Sequence, residues 1–169
     1  MFPCKKVGLD FLSSAPARFD AQVEVHATPE QIFEVFEDAH AWTVWAPPIT
    51  NVDWTSPKPY GVGTTRTVSM IGGLVGYEEF IAWERGKRMA FCFVGASRNN
   101  VSAFAEDYRV TALGAGKTRV EWTMAMEPAG VGKWTMPLFA PVMRFGLQWM
   151  LGRFGRYVEG RRSEARQAA

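Results

Sequence analysis

The residues with the most chemical potential in this chain stand two apart. Phe104, Glu106, Tyr108 and Val110 alternate with Ala105, Asp107 and Arg109, and in a strand a two-residue period places the first set on one face. A carboxyl group among aromatic side chains loses hydration, which raises its pKa. Such a group can exchange a proton beside a carbonyl while a neighbouring phenol steadies the enolate oxygen. Glu106 is the first candidate for that acid–base role and Tyr108 for the donor. Glu79, flanked on its own face by Tyr77 and Ile81, is the second candidate carboxylate. Arg109 could serve only were its strand turned the other way, and the alternative for Glu106 is a rim or bulge position satisfied by an arginine.

Other chemistries lack their residues. His26 and His40 are the only histidines and come from separate elements, so no helical two-histidine metal pair exists and no metal is expected. Gly114-Ala115-Gly116-Lys117-Thr118 resembles the tail of a phosphate-binding loop, but Thr111 stands where the first glycine belongs. Gly61-Val62-Gly63-Thr64-Thr65-Arg66 lacks the third glycine of a dinucleotide fingerprint. Both read as turns. A Gly-x-Ser-x-Gly nucleophile elbow is absent, and nothing calls for a cofactor. Cys4 and Cys92 have neither metal spacing nor a disulfide framework, which points to a reduced, cytoplasmic setting.

The elements that must position these groups follow from periodicity. Residues 19–26 alternate apolar and polar as a half-buried strand does. Thr28, Pro29 and Gln31 then supply an N-cap hydroxyl, a first-turn proline and the partner of a capping box for a short helix buried through Ile32, Phe33 and Phe36. A second short helix is expected over 38–45, stopped by Pro47 and Pro48. Six more strands, over 49–55, 63–71, 76–84, 88–95, 103–113 and 117–127, lie between turn signals short enough to join antiparallel neighbours. From Leu138 the apolar residues recur at three- and four-residue steps, predicting a long closing helix that begins between Trp134 and Leu138. Pro137 suits its first turn, and Pro141 is expected to bend it or delay its regular start.

Composition bounds the reading. A chain of 169 residues with 47% apolar and 21% charged side chains fits one globular domain with a real core. We expect an arm over 1–18, the domain over 19–163 and a tail over 164–169. A net charge of +2 is too small for nucleic-acid binding. The cations are uneven, with Arg144, Arg153, Arg156, Arg161, Arg162 and Arg166 crowding the last stretch. Residues 1–18 lack the apolar run of a secretory signal. Residues 134–151 are interrupted as a membrane span by Pro137, Pro141, Arg144 and Gln148.

The order of strand, two short helices, six strands and long helix resembles the helix-grip architecture of the START-like (SRPBCC) superfamily, in particular its polyketide cyclase/dehydrase-like branch. Val23-Glu24-Val25-His26-Ala27-Thr28-Pro29-Glu30 resembles its first strand and helix cap, and Ala41-Trp42-Thr43-Val44-Trp45-Ala46-Pro47 its tryptophan-rich second helix. The hairpins around Gly86 and Gly116 are similar too. The resemblance implies an α+β fold in which a curved, seven-stranded antiparallel sheet grips the C-terminal helix across its concave face. It also implies a cavity between them for a hydrophobic small molecule such as a lipid, a quinone or a polyketide-like compound.

Facing such a cavity we expect Phe104 and Tyr108 on the sixth strand and Trp122 and Met124 on the seventh. Trp42 and Trp45 come from the second helix, Met143 and Leu147 from the last, and Met70, Tyr77, Ile81 and Phe93 from the middle strands, whose inner face the pattern leaves open. Three functions remain: a binder of that molecule, a cyclase or dehydratase using Glu106 or Glu79, and a lipid or quinone carrier. In the last, Leu138, Val142, Phe145 and Trp149 form a second apolar stripe on the final helix that docks on a membrane surface or a partner; the alternative is that this stripe faces the two short helices or a homodimer mate.

Overall fold

The computed structural model describes residues 1–130 and 132–167, the last four by backbone alone. The chain opens with a two-residue strand, Phe2–Pro3 (β1), and a single helical turn, Phe11–Ser14 (α1). The first long strand is Ala17–Val25 (β2). Its buried Ala17, Phe19, Ala21 and Val25 alternate with exposed polar residues, as the two-residue period requires.

Two helices follow, Pro29–Glu37 (α2) and Ala39–Trp45 (α3). The capping box forms: Gln31 N donates to Thr28 Oγ1 at 3.3 Å, and Thr28 N donates to Gln31 Oε1 at 3.0 Å. Asp38 caps α3 by accepting from the backbone of His40 and Ala41. Both caps satisfy N–H groups that a helix start leaves without partners. The remaining strands are Ile49–Trp54 (β3), Thr65–Met70 (β4), Leu74–Glu84 (β5), Arg88–Ala96 (β6), Val101–Gly114 (β7) and Lys117–Pro128 (β8). The long helix is Gly132–Gln167 (α4).

The sheet is antiparallel throughout, in the order β2-β8-β7-β6-β5-β4-β3. These seven strands are the expected ones, and β1 adds a short pairing onto β6. The segment expected as an arm therefore lies on the protein. Leu12 joins Cys92, Ala105 and Ala125 in a second apolar cluster, with Ile81, Val7 and Phe11 packed against it. Small apolar residues on that face of β7 and β8 leave a shallow strip of carbon that α1 covers.

On the concave side α4 packs chiefly along β2, with α2 and α3 beside it. Gly155 sets how close it comes, because a Cβ there would stand 2.9 Å from Val25 Cγ1 and 3.2 Å from Val23 Cγ2. Leu147, Leu151, Phe154 and Val158 form the buried face of the helix. It begins earlier than expected, at Gly132, and both Pro137 and Pro141 lie inside it. It also runs by backbone to Gln167, into the segment expected as a tail. Ala168, Ala169 and the side chain of Arg166 lie outside the described residues. No described helix is long and apolar enough to cross a membrane.

Candidate functional site

Register builds a polar group into the concave wall. Across β4 and β5, Arg66 stands opposite Glu78. Across β6, β7 and β8, Phe91 faces Glu106, which faces Met124, and one step along Tyr108 faces Trp122. Arg66, Glu78, Glu106 and Tyr108 are all buried. Arg66 Nε donates to Glu78 Oε2 in a tight ion pair, and Tyr108 Oη donates to Glu106 Oε2 at 2.8 Å.

The guanidinium is enclosed by rings. Its centre lies 4.3 Å from the Trp42 ring, 4.7 Å from Phe91, 5.2 Å from Phe80 and 5.3 Å from Trp54. Cation–π attraction replaces part of the hydration that burial removes. Five donors among the described residues are buried with no hydrogen-bond partner; Trp54 Nε1 and Arg119 Nε belong to residues that do not line the cavity, and Arg66 Nη1, Trp45 Nε1 and Trp122 Nε1 to residues that do. Each such donor forfeits its solvation until an acceptor arrives.

Burial drives the electrostatics. It raises the Glu106 carboxyl to about 8, aided by the Glu78 charge and opposed by Tyr108, by Arg66 and by the nearby Trp122 N–H. Glu106 therefore holds its proton at neutral pH. Burial also pushes Glu78 up, against the pull of Arg66. Tyr108 is pushed well above its ordinary value by burial and then by the Glu106 charge.

These groups line a cavity of about 610 Å³ between the sheet and α4. A pocket of this size accommodates a drug-sized molecule. The rest of the wall is apolar, with Met70, Phe93 and Phe104 from the sheet and Met136, Met143 and Met150 from the helix. Asn100 and Val142 are its exposed lining residues, so the opening lies where β7 begins beside the first turns of α4. Among the described residues, no three His, Cys, Asp or Glu side chains converge to hold a metal ion.

Of the residues expected at the cavity, the structure brings together Trp42, Trp45, Met70, Phe93, Phe104, Glu106, Tyr108, Trp122, Met124, Met143 and Leu147. It places Tyr77, Glu79 and Ile81 elsewhere. Glu79 pairs with Lys6 at 2.6 Å, and Ile81 packs toward Leu12 and Cys92, on the other face of β5. The inner face of β5 carries Gly76, Glu78 and Phe80 instead. Both faces bear large apolar residues because the N-terminal segment covers the outer one, so alternation alone does not choose between them. Arg109 lies outside as well and donates to Asp107.

Sequence reasoning missed Arg66 and Glu78. A signal for Arg66 existed: Met70 was placed inward, and the two-residue period carries that face to Val68 and Arg66.

The pattern of the family described as polyketide cyclase/dehydrase and lipid transport matches residues 16–159. The chain belongs to that family. A protein of Mycobacterium tuberculosis, itself uncharacterized, is 48% identical over 168 residues, covering 99% of this chain and all of the relative. Among solved structures, a START superfamily protein from Mycobacterium smegmatis superposes with a TM-score of 0.66 at 15% identity, over 88% of this chain and 98% of that one. An aromatase/cyclase from Streptomyces gives 0.60 at 16% identity, over 86% and 92%. At such identities the structural likeness establishes the shared helix-grip fold, and function must be argued from the site.

Proposed function

We propose that this polyketide cyclase/dehydrase-family protein binds a hydrophobic small molecule with an acceptor oxygen at one end, in the cavity between the sheet and α4. The observation that carries the reading is the coincidence of a methionine- and aromatic-lined hollow with three buried donors that have no partner, Arg66 Nη1, Trp45 Nε1 and Trp122 Nε1. A carbonyl, quinone or carboxyl oxygen would complete them, while the carbon body covers the apolar wall. Neutral Glu106, already accepting from Tyr108, supplies one more donor from its own proton.

Native mass spectrometry of protein purified from its own host, with a panel of lipids, quinones and polyphenols, tests this. The expected result is a bound oxygen-bearing guest. Trp45→Phe with Trp122→Phe should weaken it by roughly thirtyfold, since each neutral hydrogen bond contributes about 1 kcal/mol. Bare polypeptide and no binding across the panel would sink the proposal.

A second reading, supported by the raised Glu106 and its Tyr108 partner, is cyclisation or dehydration of a polyketide-like guest. Below about pH 8 Glu106 is an acid and above it a base. A rate that climbs through that pH and is lost in Glu106→Gln supports Glu106 as the base; unchanged turnover in Glu106→Gln removes it.

A further inference from the structure

The helix that covers the cavity is apolar on both sides. Trp134, Leu138, Val142, Phe145 and Trp149 are 87%, 78%, 65%, 74% and 46% exposed. At 3.6 residues per turn these positions fall within an arc of about 80°. That arc lies opposite the buried Leu147, Leu151, Phe154 and Val158. Isolated exposed apolar residues are ordinary, but a contiguous stripe over four turns marks a contact surface.

Charge selects what it contacts. Between Glu127 and Glu159 the chain carries Lys133, Arg144, Arg153 and Arg156 and no acid. Exposed Arg156 falls within the arc of the stripe and Arg153 at its edge, whereas Lys133 and Arg144 stand on the side of the helix that meets Ala17, Phe19 and Glu127. Arg153 reaches the carbonyls of Val44 and Trp45 and lies 5.3 Å from the Trp149 ring. A second copy in isologous contact would set this acid-free face against itself, cation to cation. A surface of anionic lipid supplies the missing charge, accepts the aliphatic stripe among its acyl chains and suits tryptophan at the headgroup level. Val142 belongs both to the stripe and to the cavity lining, so the surface runs into the opening.

We propose that the outer face of α4 docks on an anionic lipid bilayer with the cavity mouth turned toward the lipid. The docking stands on this surface alone; that the cavity loads its guest there rests on the proposed function above.

Flotation of the full chain with vesicles of phosphatidylcholine, with and without phosphatidylglycerol, tests the docking. Flotation is expected on the anionic vesicles at low salt. It should fall steeply between about 0.01 and about 1 M salt, where the Debye length shrinks from about 30 to about 3 Å. Arg156→Glu and the double variant Phe145→Ser with Trp149→Ser should each reduce it by roughly tenfold. Equal flotation of these variants, or none by the wild type at low salt, overturns the proposal.

A measurement on the unaltered protein guards against variants that fail to fold. Vesicles with brominated acyl chains should quench tryptophan fluorescence, through the exposed Trp134 and Trp149, and absence of quenching overturns the docking. Light scattering is expected to give a monomer; a dimer that the double variant dissolves would assign the face to a second copy instead. Protein re-isolated after flotation is analysed for retained lipid. Docking without retained lipid supports the surface and rules out only the bilayer lipid as the guest.

Discussion

Glu106 carries its proton because burial outweighs the Tyr108 hydrogen bond and the Arg66 charge. Its carboxyl is raised from 4.5 to about 8, so between those pH values the folded state holds a proton that the unfolded state has released. Stability from this group is complete below about 4.5 and is lost as pH rises toward 8, at roughly 1.4 kcal/mol per pH unit across the window. Glu106→Gln should therefore flatten the decline of the melting temperature over that range, and a parallel decline in both proteins would refute the assignment. Arg66 and Glu78 make a different case. Arg66→Met leaves a buried carboxylate alone and should cost about 3–5 kcal/mol, whereas adding Glu78→Met should recover most of the loss. Urea denaturation of the two variants checks the order. Glu106 and Tyr108 were legible from their spacing, whereas the pairing of Arg66 with Glu78 was not, although the period running inward from Met70 reaches Arg66. A lone arginine in a strand normally reads as solvent-facing, and only cross-strand register shows that it meets a buried acid.

Helix α4 is seated on β2 through a position with no side chain. At Gly155 an added Cβ would press on Val25 and Val23, whereas at Gly160 nothing stands within 4 Å. Gly155→Ala should cost about 1–3 kcal/mol through overpacking. Gly160→Ala should gain about 0.5–1 kcal/mol from helix propensity. Opposite signs in chemical denaturation are expected, and two gains would mean that the helix does not sit this close. The long helix was legible because its apolar residues recur with helical period. Its start was not, since Pro137 and Pro141 resemble stop signals, yet both are accommodated within the helix. The inner face of β5 was hidden for a related reason: α1 and the N-terminal segment make its outer face apolar too.

The whole molecule is a cup with an unfilled floor, and a guest bound only to the folded state must stabilise it. At a hundred times its dissociation constant a guest contributes about 2.7 kcal/mol, which for a domain of this size raises the melting temperature by roughly 2–4 °C per kcal/mol. Met143→Trp, placed in the cavity wall, should abolish that shift while leaving the guest-free melting temperature unchanged or higher. A variant that still responds fully to the guest would place it elsewhere.

By itself, the sequence determined what local rules govern: a first strand from two-residue alternation and six more from runs between turn signals, a first helix capped by Thr28 and Gln31 and a second ended by Pro47 and Pro48, a greasy closing helix, and the family those elements spell. Tertiary structure decided which carboxylates lie together. A strand has two faces, and the choice between Glu78 and Glu79 depends on what covers each one. It also decided that Trp134, Phe145 and Trp149 stay uncovered, because period tells that a helix face is apolar but only the arrangement of neighbours tells whether anything is packed against it.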